Sequence, residues 1–372
     1  MNIRPIDPHN RHDVNRFIDF PHQLYRDNPN WVPEIRSSAR LVFDQERHPF
    51  YRHSKAQFFL AENRNEVAGR IAVLHNRNYS AHYRQEVGFF YNFDMINDQE
   101  VANDLLDAAV AWARQQRIKS ILGPRGFLRS QGFGLLVEGF DQLPAVGIPY
   151  NFPYYQTVLE HYGFVKEADI LSGYMIRSDE LPEKVFAAAD RVAERGNFKV
   201  LQFKHKRELK PWIPMVDQVY REAFLENPNY FPTTPDEFAV MAQNIYQIAD
   251  PRLIKIITRD DKIAGFILGY PNINRALQKT HGRLWPFGWI TLLRAVRDTR
   301  HVDLNGLGLL PEFQGRGANL MLYAEVERSL RAVGAQYAEM IQIDERNFNS
   351  FSDMQTIGVH VHKRHRLYRL TL

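Results

Sequence analysis

The chain has 372 residues and carries 47 basic and 43 acidic side chains, with a formal net charge of +4. Because the two signs are interspersed, this balance disfavours a nucleic-acid-binding protein. The absence of cysteine excludes disulfides, thiolate metal sites and a cysteine nucleophile. The length fits two domains. Neither a signal-peptide core nor an apolar run near the ~20 residues of a membrane span is present, so we expect a cytoplasmic protein without stable membrane insertion.

The sequence contains an internal duplication. NPNWVP begins at Asn28 and NPNYFP begins at Asn227. Phe58–Asn76 and Ile254–Asn272 each predict a β-hairpin, because an apolar run, an Asn/Asp-rich turn and Ala-Gly opening a second apolar run follow one another. Further along, Asn151-Phe152 and Asn347-Phe348 recur at nearly the same offset.

The duplication divides the chain near Ser178, giving the domains 1–178 and 179–372. Each half predicts helix, hairpin, strand, helix, strand, helix and strand in order. In the first half, Asp98–Gln116 has the apolar spacing of a helix, and Ser120–Gly123 predicts a short strand. The corresponding elements of the second half are a helix over Gly317–Val333 and a strand over Gln336–Ile343. This order favours an α/β fold in which each domain is a mixed sheet flanked by helices.

A glycine-rich turn follows the predicted strand Val302–Leu310 in the second half. Pro311 ends regular pairing, and the glycines of QGRG permit backbone conformations closed to other residues. The helix that begins at Gly317 offers unpaired N–H groups and the positive end of its dipole, and Arg316 adds a permanent charge. These features predict a diphosphate-binding turn, although neither a Walker loop nor the dinucleotide fingerprint G-x-G-x-x-G is present.

Gln314–Asn319 resembles the Q/R-x-x-G-x-G/A motif of the GNAT superfamily of acyl-CoA-dependent N-acyltransferases. The resemblance implies two tandem GNAT-like domains, of which the second binds the co-substrate. Two positions depart from the family pattern: Asn319 replaces a glycine or alanine, and Met354 replaces the tyrosine that commonly serves as general acid. The positions that the resemblance assigns to coenzyme A are Leu309, Leu310, Gln314, Gly315, Arg316, Gly317, Ala318, Asn319 and Asn347.

The first half provides an internal comparison for this turn. Aligning the long helices places Asn97–Ala102 opposite the QGRG segment. That stretch has no glycine and carries Asp98 and Glu100, which suit a helix start but repel a diphosphate. We therefore expect the first domain to be a degenerate copy that does not bind coenzyme A in this way.

The resemblance implies acyl transfer from acetyl-CoA, or a longer acyl-CoA, to an amine of a small molecule or peptide. The candidate bases are Glu339 and Asp303, and Tyr368 or Tyr323 is a candidate for the missing acid. No metal is expected, since His360 and His362 lack an evident third ligand. Because Met354 stands where the acid is usual, a non-catalytic acyl-CoA sensor is the alternative function.

The second-half insertion Asn274–Arg300 is rich in basic and aromatic residues. Three interpretations are open. In the first, the segment is a lid that contacts an acyl chain or an amphipathic acceptor. In the second, it is a membrane-surface element with aromatic anchors. In the third, it is a connection that packs its aromatics into the core.

Overall fold

The computed structural model describes residues 1–64 and 66–372; Asn65, in the predicted turn of the first hairpin, lies outside the described residues. The strands are β1 (Asn2–Pro5), β2 (Lys55–Asn63), β3 (Glu66–His75), β4 (Val87–Met95), β5 (Ser120–Gly123), β6 (Leu135–Glu138), β7 (Val165–Ile176), β8 (Phe198–Leu201), β9 (Ile254–Arg259), β10 (Lys262–Pro271), β11 (His301–Leu309), β12 (Tyr337–Asp344) and β13 (His360–Thr371). The α-helices are α1 (Arg11–Leu24), α2 (Arg36–Leu41), α3 (Arg77–Tyr83), α4 (Gln99–Gln115), α5 (Tyr154–Tyr162), α6 (Glu183–Gly196), α7 (Ile213–Ala223), α8 (Pro235–Ile248), α9 (Asn274–Thr280), α10 (Gly288–Asp298), α11 (Ala318–Val333) and α12 (Phe348–Ile357).

The chain forms two compact units. The N unit comprises Met1–Ile170, Asn274–Thr291 and Lys363–Leu372, and the C unit comprises Leu171–Ile273 and Leu292–His362. The start of the second-half insertion therefore belongs to the N unit. The division at Ser178, which rests on the duplication, stays a prediction. Each unit combines a mixed sheet with flanking helices, so the predicted fold class is confirmed.

The N-unit sheet has the order β1-β2-β3-β4-β5-β13, with β6 also paired to β13. Only β4 and β5 pair in parallel along this order. The helix α4 packs on one face because Val101, Leu105 and Ala109 form an apolar stripe at helical spacing. This stripe and the inward residues of the strands make the N-unit core.

The C-unit sheet has the order β7-β12-β11-β10-β9-β8, with β11 and β12 parallel. One face, which we call the α11 face, packs against α6 and α11 through residues such as Val185, Leu322 and Val326. The opposite face, the α7 face, packs against α7 through Val219 and Phe266. The strand before Gln314 thus contributes to both apolar cores, the helix after it packs on the α11 face, and the turn between them is exposed.

No helix in the described part of the chain is both long enough and apolar enough to cross a bilayer.

Candidate functional site

The parallel strands β11 and β12 separate partway along their length. Their ladder covers four residue pairs, from His301–Tyr337 to Leu304–Met340. Both strands continue beyond it, β11 to Leu309 and β12 to Asp344. The strand ends therefore frame a gap whose edges carry backbone groups outside the β11–β12 ladder.

A β-bulge lies where the strands separate. In the β10–β11 ladder, Ile267 pairs with Leu307 and Gly269 pairs with Leu304, so two residues of β11 oppose one of β10. Gly306, within the bulge, has φ of +99°, which a side chain would disfavour. Bulges of this kind redirect backbone groups beside active sites, and backbone N–H groups can stabilise a developing oxyanion.

The glycine-rich turn lies at the end of β11. Gly315 and Gly317 adopt φ of +68° and +80°, and Gly317 is the N-cap of α11 without a side-chain cap. A Cβ atom at Gly315 would meet nothing within 4 Å, so its backbone conformation, not crowding, favours glycine there. A Cβ at Gly317 would also lie 2.8 Å from Cγ2 of Val192.

Five consecutive amides of this turn are open. Within the described part of the chain, the N–H groups of residues 315 to 319 donate to no acceptor. Arg316 is exposed and has no ion-pair partner in the same part of the chain. The helix dipole concentrates positive potential at this point. An anion with several oxygens, such as a diphosphate, would satisfy these donors.

The residues that flank the turn fix its position. The amide of Gln314 donates from Nε2 to the carbonyl oxygen of Leu309 over 3.0 Å. The N–H of Leu310 donates to the carbonyl oxygen of Ala264 over 2.9 Å. The side chains of Leu309 and Leu310 are buried in the two C-unit cores. Only their backbone is therefore positioned to face a ligand, and Gln314 acts as a positioning residue.

Asn319, the departure from the family motif, joins α11 to α12. Its Nδ2 donates to both carboxylate oxygens of Asp353 over 3.1 Å, and the hydroxyl of Tyr323 donates to the same carboxylate over 3.1 Å. Burial raises the pKa of Asp353 and that of Tyr323. The Tyr323 hydroxyl is thus engaged in a helix–helix contact, which is a structural role for this candidate acid.

Asn347 and Met354 lie at opposite ends of α12. Asn347 is the N-cap, and its Oδ1 accepts the N–H of Ser350 over 3.1 Å. The side chain of Met354 is buried and packs beside Gly173, so it is a core residue. No proton donor therefore replaces the usual tyrosine at this position.

The two predicted carboxylates are brought together on the α7 face. Asp303 and Glu339 are paired residues of the β11–β12 ladder, one step before the strands separate, and their exposed fractions are 0% and 1%. Nδ2 of Asn272 donates to both oxygens of Asp303 over 3.1 Å. Nε2 of His301 lies 3.4 Å from Oδ1 of Asp303 and 3.7 Å from Oε2 of Glu339.

Further polar side chains surround this pair. Nε2 of His362 lies 3.8 Å from Oε1 of Glu339 and 3.2 Å from the hydroxyl of Tyr337. Nδ2 of Asn305 donates to the hydroxyl of Tyr270 over 3.0 Å, and burial raises the pKa of Tyr270. Buried carboxylates are costly unless hydrogen-bonded or paired, so this cluster is a candidate functional site.

Among the described residues, three side chains of this cluster are close enough together to hold a metal ion. The ligand atoms of His301, Asp303 and Glu339 lie within 4.8 Å of one another. However, Asn272 already donates to both Asp303 oxygens, and a cation would have to compete with that amide. The arrangement fits two neighbouring acids, one of them held by hydrogen bonds from Asn272, better than a metal centre.

His301, Asn272 and Tyr270 belong to the cluster but were not predicted as site residues. An available signal was the alternation of His301, Asp303 and Asn305, which places three polar side chains on one face of a strand. Asn272 was seen only as a hairpin end, because its contact with Asp303 depends on strand pairing.

Tyr368 lies elsewhere. It belongs to the N unit, whereas Asp303 and Glu339 belong to the C unit. Its side chain is buried in the N-unit core, and its hydroxyl donates to Oε1 of Glu160 over 2.9 Å. Tyr368 is therefore an N-unit packing residue, and the structure does not unite it with the carboxylate pair within one compact unit.

A small apolar cavity adjoins the separation point on the α11 face. Its volume is about 50 Å³, and Leu304 and Met340, the last pair of the ladder, form part of its wall together with Val326, Leu330 and Ile357. Space of this size, lined by apolar side chains, admits a short apolar group without rearrangement.

Part of the chain matches a known protein family. Residues 216–352 match the acetyltransferase (GNAT) family. The chain is 29% identical to protein YghO of Escherichia coli strain K12, over 96% of this chain and 93% of that protein. It is 26% identical to a bacterial ceramide synthase of Caulobacter vibrioides, over 97% of this chain and 95% of the synthase.

Solved structures share the fold over the whole chain. A tandem GNAT protein from the clavulanic acid biosynthesis pathway aligns with a TM-score of 0.58 at 10% identity, covering 100% of this chain and 98% of that one. A GCN5-related N-acetyltransferase from Sphaerobacter thermophilus aligns with a TM-score of 0.52 at 15% identity, covering 100% and 95%. At these identities the likeness establishes the fold alone.

Proposed function

Since the chain belongs to the GNAT superfamily, we propose that it is an acyl-CoA-dependent N-acyltransferase whose donor site lies at the separated ends of β11 and β12. The observation that carries the proposal is the row of open amides over residues 315–319 beside the exposed Arg316. We place its activity in the cytoplasm, as the sequence predicts.

The donor is held mainly by main-chain groups. The diphosphate of acyl-CoA accepts hydrogen bonds from the amides of Gly315, Gly317, Ala318 and their neighbours, and Arg316 neutralises its charge. Gln314 keeps the turn in place through its bond to Leu309, and Asn319 keeps α12 beside α11. Nδ2 of Asn347 donates to no acceptor in the described part of the chain and is available to the pantetheine side. The thioester then lies in the gap between the strands.

The chemistry is direct attack of an amine on the thioester carbon. The C–N bond forms, the C–S bond breaks, the thiolate leaves with the bonding electron pair, and the neutral amine loses one N–H proton that ends on the thiolate. Because an ordinary aliphatic amine has a pKa near 10.4 and is charged at neutral pH, a base must first take the additional ammonium proton. Glu339 is the proposed base. Asp303, fixed by Asn272, is its positioning partner, and the bulge at Gly306 supplies N–H groups for the oxyanion.

The acceptor that we propose is the amine of a long-chain amino alcohol. A ceramide is the N-acyl amide of such a base, and the Caulobacter relative named a ceramide synthase covers nearly the whole of this chain. The buried polar cluster offers hydrogen-bond partners to an amino alcohol, and Tyr270 and Asn305 lie on the same face of the sheet. For the donor, acetyl-CoA or a longer acyl-CoA is the sequence-based expectation, and the small apolar cavity of about 50 Å³ favours a short acyl group.

The test is release of coenzyme A thiol that depends on an added amine. Acetyl-CoA and palmitoyl-CoA serve as donors, and sphinganine or a lysine peptide serves as acceptor. We expect sphinganine to support thiol release and formation of the N-acyl product by mass spectrometry. The double variant Arg316→Glu/Gly317→Asp should lose both binding and turnover, whereas Arg47→Glu, at an exposed arginine of the N unit, should change neither. Equal coenzyme A binding by the wild type and the double variant would contradict the proposed donor site.

A non-catalytic acyl-CoA sensor is the second candidate function. The buried Met354 at the place of the usual acid favours it, because no proton donor is then supplied to the leaving thiolate from α12. Calorimetric binding of acyl-CoA without thiol release across long-chain and short-chain amines would support the sensor. Amine-dependent thiol release would exclude it, since a thiolate can also leave unassisted.

A further inference from the structure

A continuous segment of the second-half insertion exposes large apolar side chains. Trp285, Phe287, Trp289 and Leu293 are 82%, 73%, 47% and 56% exposed. Three of them are aromatic, and they fall within nine consecutive positions of the sequence. This exposure overturns the interpretation in which the insertion packs these aromatics into a core.

The helix α10 within this segment has no buried residue. Its apolar residues Trp289, Leu292, Leu293 and Val296 follow the i, i+3, i+4, i+7 spacing of a stripe that normally faces a core. Here the stripe is exposed at Trp289 and Leu293 and only partly covered at the other two positions. The helix is amphipathic, and half of the positions in its apolar stripe are exposed.

The surroundings of the stripe are strongly basic. Lys279, Arg283 and Arg294 are exposed and have no ion-pair partner in the described residues. Arg297 pairs with Asp298 over 2.7 Å, and Asp298 is the single acid between residues 274 and 300. The segment therefore combines exposed aromatics with an excess of positive charge.

We propose that this segment, residues 279–297, is a docking surface for an anionic lipid bilayer. Amphipathic helices that lie in a membrane interface combine an apolar face carrying Trp, Phe or Leu with Lys and Arg on the polar side. Tryptophan favours the headgroup level, and here Nε1 of Trp289 donates to the carbonyl oxygen of Pro286 over 3.0 Å, so the ring enters that layer with its donor satisfied. Charge complementarity selects the anionic lipid.

A rigid support holds the start of the segment. Gln278 donates from Nε2 to the carbonyl oxygens of Pro29 and Trp31 over 2.8 and 2.9 Å, and the N–H of Arg36 donates to the carbonyl oxygen of Gly282 over 2.9 Å. All of these residues belong to the N unit. The aromatic residues Trp285, Phe287 and Trp289 follow directly after these hydrogen bonds and are exposed.

The test is co-sedimentation of the full chain with vesicles, without any measurement of activity. Vesicles of phosphatidylcholine alone are compared with vesicles of phosphatidylcholine and phosphatidylglycerol at roughly 3:1, which carry a negative surface potential. We expect binding to the anionic vesicles and weak binding to the neutral ones. Because each basic residue near the surface contributes a factor of about five, Arg283→Glu/Arg294→Glu should reduce anionic binding at least tenfold, and added salt should act in the same direction.

The aromatic contribution is tested separately. Trp285→Ser/Phe287→Ser should abolish vesicle binding without lowering the melting temperature, since both side chains are exposed. Leu225→Ser, at an exposed leucine of the C unit, is the matched control and should bind like the wild type. Absence of wild-type binding to the anionic vesicles, or unchanged binding by the aromatic variant, would overturn the proposal. A change in oligomeric state caused by the aromatic variant, seen by light scattering, would instead assign the surface to a second copy of the chain and would also overturn it.

Discussion

The two units contain equivalent strand–turn–helix junctions with opposite properties. Ala68-Gly69 and Ala264-Gly265 are repeated residues, and Gly69 pairs with Met95 as Gly265 pairs with Leu309. In the N unit, the carboxylate of Asp98 caps α4 by accepting the N–H groups of Glu100 and Val101 over 2.8 and 3.4 Å. In the C unit, Gly317 caps α11 with no side chain and leaves the amides open. In the N-unit junction a side chain caps the helix N-terminus, whereas the C-unit junction leaves its backbone N–H groups available to a ligand.

A second difference concerns the end of the preceding strand. In the N unit, the N–H of Met95 donates to the hydroxyl of Tyr155 over 3.1 Å, and the hydroxyl of Tyr154 donates to the Met95 carbonyl over 2.6 Å. The repeat places Ser350 and Phe351 at these two positions of the C unit. In the N unit, two tyrosine side chains thus hydrogen-bond the backbone groups at the end of the strand. The C unit has the small residue Ser350 in place of Tyr154.

A third difference concerns the residues beside the separation of the parallel strands. Aligned through the positive-φ residues Asn92 and Gly306, the N-unit pair Phe89–Leu122 corresponds to Asp303–Glu339. Both members of the N-unit pair are fully buried and apolar. Burying two carboxylates costs stability, and of these two corresponding pairs only the C-unit pair carries that cost.

The largest expected effect on activity comes from removing a charge from the acid pair of the C unit, which makes it more like the apolar pair Phe89–Leu122 of the N unit. Glu339→Gln keeps the shape of the side chain but removes the base, and we expect kcat to fall by roughly 10²–10⁴. The dissociation constant for coenzyme A should stay unchanged, because the donor turn is not altered. Steady-state kinetics and calorimetry measure the two quantities, and Glu339→Asp should restore part of the rate. A loss of coenzyme A affinity equal to the loss of rate would count against Glu339 as the base.

The next effect comes from transferring the acidic cap of the N unit to the C unit. Gly317→Asp places a negative charge among the open amides, at φ of +80° and against Val192, and we expect coenzyme A affinity to fall about 100-fold. The reciprocal change Asp98→Gly removes the N-unit cap. It should cost less than about 1 kcal/mol of stability and create no second coenzyme A site. Binding of a second coenzyme A by that variant would show that the cap alone distinguishes the units.

A smaller effect follows from introducing the tyrosine of the N unit. Ser350→Tyr puts a ring and a hydroxyl where Tyr154 covers the strand end, and we expect KM for acyl-CoA to rise about tenfold with a smaller change in kcat. Ser350→Ala is the control for the lost hydroxyl and should behave like the wild type. An unchanged KM for the tyrosine variant would mean that the donor does not pass α12 at this point.

The smallest effect concerns the stability of the N unit and not the site. Burial alone would raise the pKa of Asp169, but hydrogen bonds from Arg366, Lys166 and Arg364 outweigh it and lower the pKa to about 2. The carboxylate therefore contributes stability above its ordinary pKa of 3.8, and this contribution is lost as the pH falls from 3.8 towards 2. Asp169→Asn should cost about 1–2 kcal/mol at neutral pH. Thermal unfolding should show this difference shrinking through that acidic window, while turnover by the folded variant stays at the wild-type level.

The sequence predicted those features that local signals specify. The hairpins, the strand before Pro311, the glycine turn and the helix starting at Gly317 all depend on residues that are neighbours in the chain. The second hairpin, the strand and the helix were placed within a residue or two of their observed bounds, whereas the first hairpin was predicted to begin at Phe58, three residues after the observed start at Lys55. Even the contrast between the two helix starts was visible, because an acid against a glycine is a local difference.

Features that depend on strand pairing could not be predicted from the sequence. The position of Glu339 beside Asp303 and the contacts of Asn272 and His301 follow from sheet register, which a single sequence does not fix. Tyr368 was a candidate for the acid that is absent at Met354, yet residues 363–372 belong to the N unit. The exposure of the 285–293 aromatics was also not predictable, since an amphipathic pattern does not say what covers its apolar face.

The most direct test of the difference between the two units is the stoichiometry of coenzyme A binding, measured by isothermal titration calorimetry on the full chain. We predict one molecule bound per chain, with binding lost in Arg316→Glu/Gly317→Asp and retained in Asp98→Gly. Two molecules per chain, or one molecule whose binding survives the change at Arg316 and Gly317, would contradict the assignment of the donor site to the open amides of the C unit.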